Sequence, residues 1–91
     1  MIQDDELLPK WMYISKALTE FAKGMGFDMW IKATSDHPIY DIRFEDPAPR
    51  GSGQWEIISI FVHEVTDPDL TVQSICDHLI EKFGYGDGVL M

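Results

Sequence analysis

An α+β two-layer sandwich, ordered α-β-β-β-α with two helices on one face of a three-stranded antiparallel sheet, is the fold this 91-residue sequence predicts. Three observations carry the expectation. Stretches near either end place apolar residues three and four apart, the spacing of a helix that buries one stripe. Between them lie three shorter stretches rich in β-branched and aromatic residues, two of them alternating between apolar and largely polar sides. Clusters of Gly, Pro, Asp and Ser separate all five. A chain of this length supports one core and buries only about 60 to 65% of its unfolded surface, so residues 1–91 are expected to form a single domain with flexible ends at 1–6 and 86–91.

Asp4, Asp5 and Glu6 stand in front of Pro9, acids suited to the positive end of a helix dipole and a proline suited to its first turn. A helix is therefore expected from Leu8 or Pro9. Trp11, Ile14, Leu18, Phe21 and Met25 form its buried stripe with Ala17 and Ala22 beside them, while Lys16, Thr19, Glu20 and Lys23 face water. Gly24-Met25-Gly26 supplies a left-handed cap.

The strands follow. Phe27 to Thr34 alternates, with Phe27, Met29, Ile31 and Ala33 on one side and Asp28, Trp30, Lys32 and Thr34 on the other, so Trp30 is the one large apolar residue among the polar ones. Ser35-Asp36-His37-Pro38 is turn chemistry. Ile39 to Glu45 sets Tyr40, Ile42 and Phe44 against Ile39, Asp41, Arg43 and Glu45. Asp46 to Gly53 holds two prolines and two glycines, which end both neighbouring strands and predict a solvated loop; without a Lys-Ser/Thr after its second glycine it is no phosphate loop.

Gln54 to Val65 has the highest β-branched and aromatic density and is expected at the centre of the sheet. Glu56, Ile58, Ile60, Val62 and Glu64 form the face assigned to the core; Trp55, Ile57, Ser59, Phe61, His63 and Val65 form the face assigned to the open side, together with Trp30. Asp67 or Asp69 caps the second helix with Pro68 in its first turn. Leu70, Val72, Ile75, Cys76, Leu79, Ile80 and Phe83 are its buried stripe, and Gln73, Ser74, Asp77, His78, Glu81 and Lys82 its solvent side. Gly84 ends it, Tyr85 to Gly88 reads as a flexible turn, and Val89-Leu90-Met91 either folds back or frays.

The element order is similar to that of double-stranded-RNA-binding domains. That family reaches phosphates through a Lys-rich start of its second helix, and the matching positions here are Asp67, Pro68, Asp69, Thr71, Gln73 and Ser74. Acids there repel RNA, so the similarity is one of architecture and no direct nucleic-acid binding is expected.

Charge is the strongest functional signal. Sixteen acids against seven bases give a formal net charge of −9. The first fifty residues hold nine acids and six bases, whereas 51–91 hold seven acids and only Lys82. A half of one sign repels phosphate and steers toward basic surfaces, although a charge that only keeps the protein soluble is the plain alternative.

Catalytic chemistry finds little support. His37, His63 and His78 fall on a turn, a strand and a helix, and their acidic sequence neighbours point away from them in regular structure. Cys76 lies in the apolar stripe of the second helix, and a lone cysteine excludes an internal disulfide. Glu64, Asp67 and Asp69 lack the alternating twelve-residue ligand series of a calcium loop. No catalytic set, metal site or cofactor is therefore expected. The N-terminus lacks the basic start and apolar core of a signal peptide and no run reaches membrane-spanning length, which predicts a cytoplasmic protein away from membranes.

Two functions remain. The first is an inhibitor that occludes a basic or nucleic-acid-binding protein, of the immunity, antitoxin or phage anti-defence kind, through an acidic face of Glu64, Asp67, Asp69, Asp77 and Glu81. The second is a homodimeric adaptor or secretion-type chaperone that uses Trp30, Trp55, Ile57 and Phe61 on the open side of the sheet.

Overall fold

The computed structural model describes residues 4–33 and 39–85, with side chains from residue 8 onward. The turn at 35–38 with His37, and the segment 89–91, lie outside the described residues. Helix α1 spans Asp4–Met25, strand β1 Asp28–Ala33, β2 Ile39–Glu45 and β3 Trp55–Phe61; a 3-10 turn follows at Val62–Glu64, then helix α2 at Pro68–Lys82. All pairings are antiparallel in the order β1-β2-β3. This is the predicted α-β-β-β-α sandwich.

The sheet's centre is β2, and the stretch expected there, β3, is an edge strand. Consecutive strands joined by short connections pair in sequence order, which puts the middle one in the middle whatever its composition. The predicted strand over 54–65 is also shorter than expected. After Phe61 the chain turns, so that Val62 is fully buried and Val65, expected on the open side, is buried too.

Helix α1 begins before Pro9, which sits inside it. Proline here removes one hydrogen bond to the preceding turn, a loss confined to the helix's beginning, where few such bonds exist. Ile14, Leu18 and Ala22 are buried, and Trp11 lies flat on Tyr40 of β2 with ring centroids 3.7 Å apart. In α2 the buried residues are Ile75 and Leu79, and Phe83 at its C-cap is buried with them. Leu70, predicted in that stripe, is 60% exposed. These side chains close one cluster with Ile42 and Phe44 of β2 and Ile60 of β3, so both helices cover the same side of the sheet. The cover ends near Met29, leaving Ile31 and Ala33 of β1 in water.

Both helices stop in the same way and at the same end. Gly26 (φ 81°) and Gly84 (φ 87°) take the left-handed conformation. Phe27 N–H then bonds back to Ala22 and Gly26 N–H to Lys23, while Tyr85 N–H bonds to Ile80 and Gly84 N–H to Glu81. These are two Schellman motifs. The residues they deliver, Phe27 and Tyr85, pack together, and Phe83 meets Phe27 edge-on at 5.0 Å. Tyr85, predicted in a flexible turn, is thus held.

The loop 46–53 is also more ordered than predicted. Asp46 is 2% exposed, and one of its carboxylate oxygens accepts from Ser52 N–H and from the Tyr85 hydroxyl, each at 2.7 Å. Burial alone would raise this carboxyl; the backbone bond from Ser52 and the Tyr85 hydrogen bond outweigh it, with a smaller contribution from the Ser52 side chain, and hold the group below its ordinary value. Gly51 lies so close that a Cβ would stand 2.0 Å from Asp46 Oδ1. Gly53 N–H donates to Asp46 C=O and Asp46 N–H to Gln54 C=O, with Gly53 at φ 80°. That is a G1 bulge, which fixes where β3 starts.

Asp46→Ala should destabilise by about 2 kcal/mol, since it removes a buried acceptor that receives two part-buried hydrogen bonds. A change of that size lowers the thermal midpoint by roughly 10 °C in a domain of this length. Because the folded carboxyl is depressed below 3.8, its contribution is present above that pH and is lost as pH falls through the folded value. The midpoint gap between wild type and Asp46→Asn, followed by circular dichroism from pH 7 to pH 2, should therefore close at the acid end. Gly51→Ala should lower the midpoint at every pH.

Candidate functional site

Two surfaces carry the predicted site residues, and they lie on different sides of β3. Its side chains alternate as predicted: Ile58 and Ile60 turn toward the helices, whereas Trp55, Ile57, Ser59 and Phe61 are exposed.

On the open side, β-pairing sets Trp30, Arg43 and Ile57 in one row across the sheet, with Asp28, Glu45 and Trp55 in the next. Arg43 lies between the two indoles, its guanidinium carbon 5.4 Å from the Trp30 ring centroid and 5.2 Å from that of Trp55. Glu45 stands 3.7 Å from the same guanidinium. Exposed cation–π contacts contribute about 0.5–1 kcal/mol each. Lys32, Asp41 and Ser59 make the third row, where the Ser59 hydroxyl donates to Asp41 at 2.6 Å. Trp30 and Trp55, 51% and 53% exposed, therefore rest on a cation of their own chain. Phe61 meets the His63 ring edge-on at 6.4 Å, and Ile57, opposite Arg43, is exposed.

On the other side of β3, a groove of about 430 Å³ runs between that strand and the first half of α2. Ile58, Ile60 and Phe61 form one wall, Leu70, Thr71 and Ile75 the other, and Glu64 and Asp67 stand at the end where the 3-10 turn leads into the helix. At the opposite end of β3, His78 Nε2 of α2 and Glu56 Oε2 are 2.5 Å apart. Thus His78, expected to face solvent alone, ties helix to strand. His63, expected to point away from its neighbour, lies 3.8 Å from Glu64, because the 3-10 turn brings adjacent side chains closer than a strand does.

The five acids of the predicted binding face have different local duties. Asp67 caps α2, accepting from Leu70 N–H at 3.3 Å, and Asp69 accepts from the Tyr13 hydroxyl of α1. Glu64, Asp77 and Glu81 are exposed. At about 100° per residue, Asp67, Ser74 and Glu81 stand in one line along α2 and Asp77 about 60° from it. They form an acidic ridge beside the groove. Lys10 reaches this neighbourhood from α1, but its ammonium is held 2.6 Å from the Val65 carbonyl oxygen.

Burial raises the Cys76 thiol above its ordinary value, and Asp77 adds to the effect, so thiolate is disfavoured there. Among the described residues, no group of three His, Cys, Asp or Glu side chains is placed to hold a metal ion, and no helix is long and apolar enough to cross a membrane.

What sequence reasoning missed is the groove, since it depends on β3 being an edge, and the place of Arg43 between the tryptophans. The second had a signal. Once β1 and β2 pair from Asp28 with Glu45, Trp30 must face Arg43.

No protein-family model matches the chain, and comparison with curated proteins and with solved structures gave no match, so the similarity to double-stranded-RNA-binding domains rests on element order alone.

Proposed function

We propose that this protein is a non-enzymatic inhibitor that occludes a basic, or nucleic-acid-binding, protein partner through the α2 side of the molecule. The observation that supports it is the acidic ridge of Asp67, Asp77 and Glu81, with Glu64 at its head, in a half-chain whose single base is Lys82. Such a one-signed surface raises encounter rates with cationic partners and rejects phosphate backbones. The reading places this chain in the immunity, antitoxin or phage anti-defence class, as a cytoplasmic protein without a cofactor.

A second reading is a homodimeric adaptor or secretion-type chaperone working through the open sheet face, favoured by the exposure of Ile57 and Phe61 beside Trp30 and Trp55. A charge at Trp30 would break such a dimer. Sedimentation of wild type and Trp30→Glu decides between a dimer that dissociates and a monomer indifferent to the change.

Under the first reading, Asp77→Lys/Glu81→Lys should slow association with a basic partner about tenfold or more at low ionic strength, with almost no change in thermal midpoint. Stopped-flow association with cationic peptides, repeated across a salt series, measures it. Rates unmoved both by the double substitution and by salt would remove the reading.

A further inference from the structure

The bulge at Gly53 fixes which backbone groups of β3 are free. Asp46 N–H bonds to Gln54 C=O, so Asp46 and Gln54 form a hydrogen-bonded pair. Alternation along an antiparallel ladder then makes Phe44–Glu56, Ile42–Ile58 and Tyr40–Ile60 the hydrogen-bonded pairs. The N–H and C=O groups of Trp55, Ile57 and Ser59 and the N–H of Phe61 are left pointing away from β2, toward an edge that no described strand pairs, while the Phe61 C=O enters the 3-10 turn. An edge of this kind is a template for another strand unless charge, proline or a covering element blocks it. No lysine or proline occurs in Trp55–Phe61.

We propose that β3 accepts an extended segment of another protein as a fourth strand, with the segment's inward side chains in the groove against α2. This deepens the reading of the protein as a binder of basic partners and rests on it. The chemistry asked of the segment follows from what it would meet. Alternate residues would enter a groove walled by Ile60, Leu70 and Ile75 and should be apolar. At the two ends of the same groove-side row, residues would approach Glu56 or Glu64 and Asp67 and should be Lys or Arg. The exposure of Leu70, otherwise an isolated apolar residue on a polar helix face, is explained if it closes over such a segment. Seven residues of β3 offer room for a peptide of about five to seven.

A second copy is a poorer occupant. Two-fold pairing of β3 with itself would carry Glu56 of each chain toward the Glu64 end of the other and bring together two molecules of net charge −9.

The test uses the full chain and three labelled octapeptides: Lys-Thr-Val-Thr-Val-Thr-Lys-Thr, whose lysines and valines share one face (the Lys-Val peptide), the same sequence N-methylated at every second residue, and its Glu-for-Lys version (the Glu-Val peptide). Fluorescence anisotropy should give binding of the Lys-Val peptide at about 100 μM or tighter, at least tenfold loss on N-methylation, and none for Glu-Val. Amide exchange at Trp55, Ile57, Ser59 and Phe61 should slow on binding. Ser59→Pro, which removes an outward N–H without taking one from the β2 ladder, should weaken binding tenfold or more; Ser59→Ala, which loses only the hydroxyl bond to Asp41, should not. Leu70→Lys, on an exposed helix position, should weaken it without altering the fold. Equal binding of the plain and N-methylated peptides, with exchange unchanged, would overturn strand addition while leaving the basic-partner reading intact. Absence of binding by either cationic peptide at about 1 mM would overturn both. The same four amides already protected without peptide would also refute the proposal, in favour of a second copy if sedimentation gives a dimer and of the chain's own residues 86–91 if it gives a monomer.

Discussion

The Asp46 carboxylate sits where three parts of the chain have to agree. It holds the loop 46–53 through Ser52, requires a glycine at 51, and receives the Tyr85 hydroxyl from beyond the end of α2. Its own backbone closes the bulge with Gly53 and Gln54. A buried acid is costly unless its hydrogen-bonding capacity is met, and here two donors meet it at 2.7 Å. In return the register of β3 is fixed at its first residue. A slip by one would drive Trp55 and Ile57 inward and leave Ile58 and Ile60 in water. The alternation of buried and exposed residues on β3, and the direction of its free amides, both descend from this corner.

The end of the molecule that holds Asp46 also holds the two glycine-capped helix ends and the cluster of Phe27, Phe83 and Tyr85. The opposite end is built differently. There Lys10 bonds to the Val65 carbonyl, Tyr13 to Asp69, and the 3-10 turn replaces the last residues of a strand. This end is packed as well, by the Trp11–Tyr40 stack and the buried Val62 and Val65. The groove mouth, with Glu64 and Asp67, belongs to it.

How much of this was legible in the sequence differs by kind of interaction. Helical spacing gave the stripes through Ile14, Leu18 and Ala22 and through Ile75, Leu79 and Phe83, and alternation gave the inner and outer faces of β3 correctly. Those are local properties of a period. Composition misplaced β3 at the centre, because β-branched and aromatic density reflects what a strand's faces touch and says nothing of its edges. Pro9 misplaced the start of α1, because a first-turn preference is a statistical habit and the acids at 4–6 sit equally well inside a helix beginning at Asp4. Tyr85, Glu56 and Asp69 lie 22 to 56 residues from Asp46, His78 and Tyr13, which they contact, and no local pattern encodes such pairs.

The distribution of charge bears on which surface has a use beyond the fold. Of the acids with described side chains, Asp46 is buried, Asp41 takes the Ser59 hydroxyl, Glu45 stands near Arg43, Glu56 meets His78, Asp67 caps α2 and Asp69 takes the Tyr13 hydroxyl. These contacts place Asp41, Glu45 and Glu56 of the sheet in the protein's own network, while Asp28 of β1 is exposed. On the outer ridge of α2, Asp77 and Glu81 are four residues apart on one helix, where like charges repel by a few tenths of a kcal/mol, and among the described ion pairs neither takes part. The cations follow the opposite logic: Arg43 serves the open face, where it covers the two tryptophans, and Lys10 is held on a carbonyl. The open face therefore satisfies most of its own charge and aromatic surface, whereas the ridge and groove leave acids, backbone amides and Leu70 directed outward together. That asymmetry places the stronger case for a partner on the α2 side of β3.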